Sequence, residues 1–164
     1  MIQFFKKNQI KKLNVLSKAF NNYETIPRKY TCDGLNVSPP LEISFIPNEA
    51  VSMVVIMEDP DAPINTWQHW LVWNIPVTHH IDEDAIRGIK GLNDFNRHFY
   101  CGPCPMSGIH QYNYKVYALD CLLNLSVNTK RKELETAMSD HILAYGELTG
   151  YYGRHANDLF ASKN

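Results

Sequence analysis

Three short apolar runs restrict the fold more than any other feature of the sequence, because each is too short for a buried helix and rich in strand-forming side chains. Val51 to Met57 (VSMVVIM) is continuous and largely β-branched, and Trp70 to Ile75 (WLVWNI) is stopped by Pro76. Tyr112 to Leu119 (YNYKVYAL) alternates, which places Tyr112, Tyr114, Val116 and Ala118 on one face. Such runs read as strands. Leu41 to Phe45, held between Pro39-Pro40 and Pro47, is a fourth candidate. Nine Tyr, seven Phe and three Trp lean the same way, since flat side chains pack well on a pleated surface. The expected architecture is mainly β, an antiparallel, sandwich-like arrangement.

A single helix is expected on its flank, from about Lys130 to Glu147. Leu134, Met138, Ile142 and Tyr145 recur there at helical spacing, with Thr129 as the N-cap and Gly150 just beyond the end. That stripe of Met and aromatic residues reads as core. Tyr151-Tyr152-Gly153 reads as a last strand. No repeat, linker or low-complexity tract divides the 164 residues, so one domain over 16–164 is expected behind a tail of residues 1–15. The tail, MIQFFKKNQIKK, lacks the unbroken apolar run of a secretory signal, and no stretch approaches the roughly 20 apolar residues of a membrane span. It reads as a frayed end or short helix. The alternative is a weak membrane-surface anchor, with Ile2, Phe4 and Phe5 beside Lys6, Lys7, Lys11 and Lys12.

Composition removes some functions. A net charge of -1 argues against a nucleic-acid binder, which needs a basic surface. Four unevenly spaced cysteines (Cys32, Cys101, Cys104 and Cys121) do not make a disulfide scaffold in a chain this long, so free thiols in a reducing, cytoplasmic setting are expected.

Two long segments rich in Pro and Gly separate the strands, and loops of that length in a compact domain usually carry function. In the first, Asp59-Pro60-Asp61-Ala62-Pro63 follows a strand directly, and two prolines stiffen the backbone that presents the carboxylates. A self-capping turn is the plainer reading of those Asp residues. His69 then opens the next strand. In the second, Gly102 to Ser107 leads to His110 at another strand start, with Tyr112 two residues on and on the same side. Asp59, His69, His110 and a phenol converging on one pocket would suit a phosphate or carboxylate, with loop N–H groups completing the shell.

Taken together, MEDPDAP, W-x-H-W-x-V-x-N-I-P (Trp67 to Pro76) and GPCPxSGxHxYxYxxYALD (Gly102 to Asp120) resemble the bacterial branch of the phosphatidylethanolamine-binding proteins, relatives of Raf kinase inhibitor protein. LSKAF, IPRKYTCDGLNVSPPL and ELETAMSDHILAYGELTGYYGR extend the resemblance from about Leu16 to Arg154. It implies an anion pocket of Asp59, His69 and His110, with Trp67 and Tyr112 as walls. Asp61, Pro63, Gly102, Pro103 and Cys104 are the remaining ligand-site residues, Pro63 and Gly102 to Cys104 forming the rim. It also implies a phosphate-bearing headgroup as ligand, a kinase or protease as protein partner, a homodimer, no cofactor, a cis Ala62-Pro63 bond, and no C-terminal helix of the eukaryotic kind. The sequence departs from the family pattern at Cys101, Met106 and Gln111, where Gly, Pro and Arg are usual. Loss of that Arg removes a fixed cation beside His110.

Three rival readings share these residues. Cys101-Gly-Pro-Cys104 spells a redox tetrapeptide, although Pro105-Met106-Ser107-Gly108 cannot supply the helix N-terminus that activates such a thiol. A reversible Cys101–Cys104 disulfide is the alternative use of that pair. His98, Cys101, Cys104 and His110 mimic zinc spacing, but metal there would take His110 from the pocket, so no metal is expected. A small hydrolase with Asp59, His69 and His110 as acid and base groups lacks an evident nucleophile, since Ser107 has no elbow motif. His79, His80, His141 and His155 read as surface or helix-face residues.

Overall fold

The computed structural model describes residues 9–154. Its main sheet has seven strands: β1 (Lys11–Lys12), β3 (Glu24–Thr25), β5 (Ser52–Asp59), β6 (Trp67–Ile75), β8 (Ile89–Lys90), β9 (His110–Leu119) and β10 (Ile142–Tyr152). The order is β1-β10-β9-β5-β6-β8, with β3 also on β10; β1 and β3 run parallel to β10 and the remaining pairs are antiparallel. A three-stranded sheet, β2 (Asn14–Leu16), β4 (Leu41–Ser44) and β7 (His80–Ile81), packs against one face. The helix α1 (Arg131–Met138) covers the other.

The continuous apolar run of β5 follows from this layering. Met53, Val55 and Met57 point into the core between the sheets, with Leu41, Ile43 and Ile81 opposite. Val54 and Ile56 point the other way, onto Leu134 and Met138 of α1. Both faces are dry, so no alternation remains to be read. Where α1 begins, buried Glu58 takes Lys115 at 2.5 Å and Arg131 at 2.9 Å, tying the helix to the sheet.

The helix is shorter than its periodicity implies. It ends at Met138, Lys130 rather than Thr129 is its N-cap, and Ile142 to Tyr152 is the longest strand, paired with β9 along its whole length. Ile142 and Tyr145 satisfy a helical period, but the buried positions Ala144, Gly146, Leu148, Gly150 and Tyr152 alternate by two. Gly146 shows why: a Cβ there would lie 2.5 Å from the Leu13 carbonyl, so the N-terminal segment crosses this strand in backbone contact. A glycine inside a helix would also cost about 1 kcal/mol.

The described part of the expected tail is structured. Leu13 donates its N–H to the Tyr145 carbonyl at 2.8 Å, and Leu13 and Val15 are core residues. The surface-anchor reading falls mainly on residues 1–8, and the expected lack of a C-terminal helix on 155–164; both ranges lie outside the described residues, as does His155. No helix among the described residues is long and apolar enough to cross a membrane. All described peptide bonds are trans, Ala62-Pro63 included, which corrects the cis expectation.

The cysteines depart most from expectation. Cys32 and Cys104 form a disulfide across 72 positions of sequence, while Cys101 and Cys121 are free. The anticipated set of four free thiols and the alternative Cys101–Cys104 pairing are both overturned. The physical reason is tertiary: the segment after Pro27 runs beneath the loop that begins at Tyr100. Tyr100 donates to the Tyr30 carbonyl at 2.8 Å, Cys32 N–H to Pro103 O at 3.1 Å, and Gly102 N–H to Asn36 Oδ1 at 2.7 Å.

Candidate functional site

One end of the main sheet carries the site. β5 ends on Asp59, paired with Trp67 at the start of β6, and β9 starts at His110. The ladder between β5 and β6 slips where Met57 faces Trp70 and Glu58 faces Gln68, leaving His69 as the extra residue of a bulge. Bulges re-aim side chains. This one brings the His69 ring to 5.3 Å from the Tyr112 ring of β9 and 5.1 Å from Phe95, edge to face with both.

His110 donates from Nδ1 to Asp59 Oδ2 at 2.8 Å, and Asp59 Oδ1 accepts the Asp61 backbone N–H at 2.9 Å. The self-capping turn read as the plain alternative is therefore present, and the same carboxylate also holds the imidazole. His69 donates from Nδ1 to the Cys101 carbonyl at 2.6 Å. A carbonyl only accepts, so that nitrogen bears the proton. Both rings thus turn Nδ1 to protein oxygens, and Nε2 is the nitrogen each can offer a ligand.

Asp59, His69 and His110 line one cavity of about 270 Å³, with Ala62, Pro63, Trp67, Phe95 and residues 104–107 around them. Among the described residues, no Lys or Arg lines it. His69 is almost fully buried, and that burial lowers its pKa below the usual 6.5; the Cys101 carbonyl, the Asp59 charge, the Gly102 carbonyl and Asp94 offset this only in part. Tyr112 sits fully buried beneath the imidazoles, and burial first, then the Asp59 charge, pushes its phenol far up, so it stays neutral.

Some expected ligand-site residues play other parts. Asp61 Oδ2 accepts the Gln111 backbone N–H at 2.8 Å, pinning the start of β9 to the Asp-Pro loop instead of lining the cavity. Gly102 and Pro103 also lie outside the lining. Gly102 is required because a Cβ would stand 2.3 Å from the Tyr30 carbonyl. Tyr112 supports the imidazoles from below and is likewise not part of the lining. Cys104 lines the cavity as half of the disulfide, so neither the redox pair nor the zinc quartet of His98, Cys101, Cys104 and His110 assembles. The Cys101 thiol is half-buried, accepts from Asn93 Nδ2 at 3.4 Å, and has its pKa raised chiefly by burial.

Sequence reasoning missed Phe95 and its support, Asn93. The Asn93 amide donates to the His69 and Phe99 carbonyls, each at 3.0 Å, and its Oδ1 accepts from Phe95 N at 3.1 Å and Arg97 N at 2.9 Å. That one buried amide folds the loop so that Phe95 meets both Trp67 and His69. The available signal was an Asn-Asp pair opening a long loop, the residue type that bonds its own backbone two positions on.

Fold and site together place the chain among two-sheet β proteins with a polar pocket at one sheet end. Comparison with known proteins makes this specific. The family model described as phosphatidylethanolamine-binding protein matches residues 16–153. UPF0098 protein PH1269 of Pyrococcus horikoshii is 47% identical over 150 residues, covering 85% of this chain and 76% of the relative. A UPF0098 protein of Chlamydia trachomatis serovar D is 41% identical over 147 residues, covering 85% of this chain and 98% of its own. Among solved structures, a putative phosphatidylethanolamine-binding protein homolog, CT736 of C. trachomatis, superposes with a TM-score of 0.84 at 39% identity, covering 88% of this chain and 99% of that one. E. coli YbcL, described as a new member of the mammalian PEBP family, gives 0.81 at 29% identity, covering 87% and 98%. The chain belongs to the phosphatidylethanolamine-binding protein family.

Proposed function

We propose that this protein binds a small anionic group, a phosphate or carboxylate headgroup, at the mouth formed by Asp59, His69 and His110, and acts as a regulatory binding module. The observation that carries the reading is the shared cavity of two imidazoles, each with Nδ1 held and Nε2 available, beside a single carboxylate. With both rings neutral the lining bears one negative charge, from Asp59. An anion is therefore accepted in one of two ways: it brings its own proton, as a phosphate monoester can, or the imidazoles take one up. Trp67, Phe95 and Met106 stand exposed around the polar floor and suit an apolar portion of the ligand. The family name supports a phosphorylated headgroup over a bare carboxylate.

The test is a calorimetric titration of wild type and His110→Ala with phosphoethanolamine. The expected result is saturable binding that weakens by about tenfold or more in the variant, the scale of a lost charge-assisted hydrogen bond. Undiminished binding in His110→Ala removes the site from this role. His110-dependent hydrolysis of phosphate or acyl esters would replace binding by catalysis.

A further inference from the structure

Far from the pocket, the turn after β9 meets the turn before β10. Asp120 N–H donates to the His141 carbonyl at 3.1 Å, continuing the β9–β10 ladder beyond its last regular pair, Ile142 with Leu119. This cross-strand register puts the side chains of Asp120, Cys121 and His141 together. Among the described residues, these three form a group in which one ligand atom from each lies within 4.8 Å of the other two. The backbone is held from three sides: Ser52 Oγ donates to the Cys121 carbonyl at 2.5 Å, His141 N–H to Met138 O at 3.0 Å, and Asp120 closes the ladder.

We propose that Asp120, Cys121 and His141 bind a divalent ion of borderline softness, zinc being the type, with the remaining coordination position open to water. The donor set is one sulfur, one imidazole nitrogen and one carboxylate oxygen, which suits zinc and not magnesium or calcium. Three protein ligands with an open fourth position is the pattern of an accessible zinc site, and here Asp120 and His141 are about half exposed, which gives the ion its path.

The same three residue types also make up a nucleophilic triad, but the arrangement does not support one. The imidazole Nδ1 faces Asp120 at 2.7 Å, while the Cys121 thiol is also turned to the Asp120 carboxylate; burial first, then that carboxylate, raises the thiol pKa. A base-activated cysteine needs the opposite, an imidazolium beside the sulfur. A divalent cation reverses the local electrostatics: it neutralises the carboxylate and stabilises the thiolate. On binding, the Cys121 S–H bond breaks, the proton leaves to solvent, the sulfur keeps the electron pair and shares it with the ion, and no redox change occurs.

Cobalt(II) is the probe, because thiolate ligation gives a near-ultraviolet charge-transfer band and low coordination gives strong visible bands. Oxidised, full-length protein is titrated with Co²⁺, then with Zn²⁺ in competition, alongside Cys121→Ser, His141→Ala and Cys101→Ser. Expected are saturation near one equivalent, a thiolate band that zinc displaces, and affinity reduced by about tenfold or more in Cys121→Ser and His141→Ala but retained in Cys101→Ser. All three variants are compared with wild type by thermal unfolding to exclude misfolding. The proposal is overturned if no thiolate band appears, or if the band survives Cys121→Ser, which would assign the metal to Cys101 and the pocket loop.

Discussion

Proton uptake is the quantity most open to test at the pocket. Burial keeps His69 neutral at pH 7, with its pKa below 6.5. Among the described residues, no Lys or Arg lines the cavity. A non-titrating anion such as sulfate is therefore held at His69 only when that imidazole takes up a proton. A unit anion about 4 Å from His69 Nε2, at an effective dielectric near 20, attracts an imidazolium by on the order of 4 kcal/mol. That corresponds to roughly a thousandfold shift of the proton equilibrium, before the desolvation that opposes it. The sign is then settled. The free protein binds the proton only below about 6.5 and the complex binds it to higher pH, so affinity is greatest in acid. It falls by up to tenfold per pH unit, about 1.4 kcal/mol, starting at the lowered pKa of free His69. Calorimetry with sulfate from about pH 5 to about pH 8, in two buffers of different ionisation enthalpy, counts the proton directly. His69→Gln keeps a donor but cannot titrate, and its slope should be smaller by the share that His69 contributes. A flat wild-type profile, or an unchanged slope in His69→Gln, refutes the argument.

Three further outcomes concern stability. Because the His69 pKa is depressed in the fold, its contribution is complete above about 6.5 and lost as pH falls through the lowered value; acid unfolding of His69→Gln, followed by circular dichroism, should start at lower pH than wild type. Glu58→Gln strands the cations of Lys115 and Arg131; since both are partly exposed, the loss should be about 2 kcal/mol, below the range for a wholly buried pair, and thermal melts at constant pH would measure it. Replacing Cys32 and Cys104 by Ser opens a loop of 72 positions and should cost about 4 kcal/mol in denaturant unfolding, with hydrogen exchange rising at residues 100–107; an unchanged midpoint would show that the disulfide constrains nothing.

The strands were legible where one local signal had no competitor. β5, β6 and β9 are short, bounded by turn residues and rich in branched and aromatic side chains, and no helix of useful length fits them. Residues 142–152 carried two periods at once. Local pattern cannot rank a helix against a strand whose glycines exist to admit Leu13 and Ile26. At the site, residues that head or end strands were readable: Asp59, His69 and His110 sit next to obvious strand boundaries. Phe95 and Asn93 were not, because their loop has no period and its shape depends on one buried amide.

Sequence alone determined strands β4, β5, β6 and β9, the family pattern and the acid and imidazoles near strand ends, because each is written within a few neighbouring residues. Tertiary structure alone decided that β5 and β6 slip by a residue at His69, that Cys32 rather than Cys101 bonds Cys104, and that Asp120, Cys121 and His141 meet. Those outcomes join atoms distant in the chain. Their energies come from register and close packing, which the order of residues specifies only after the whole chain has collapsed.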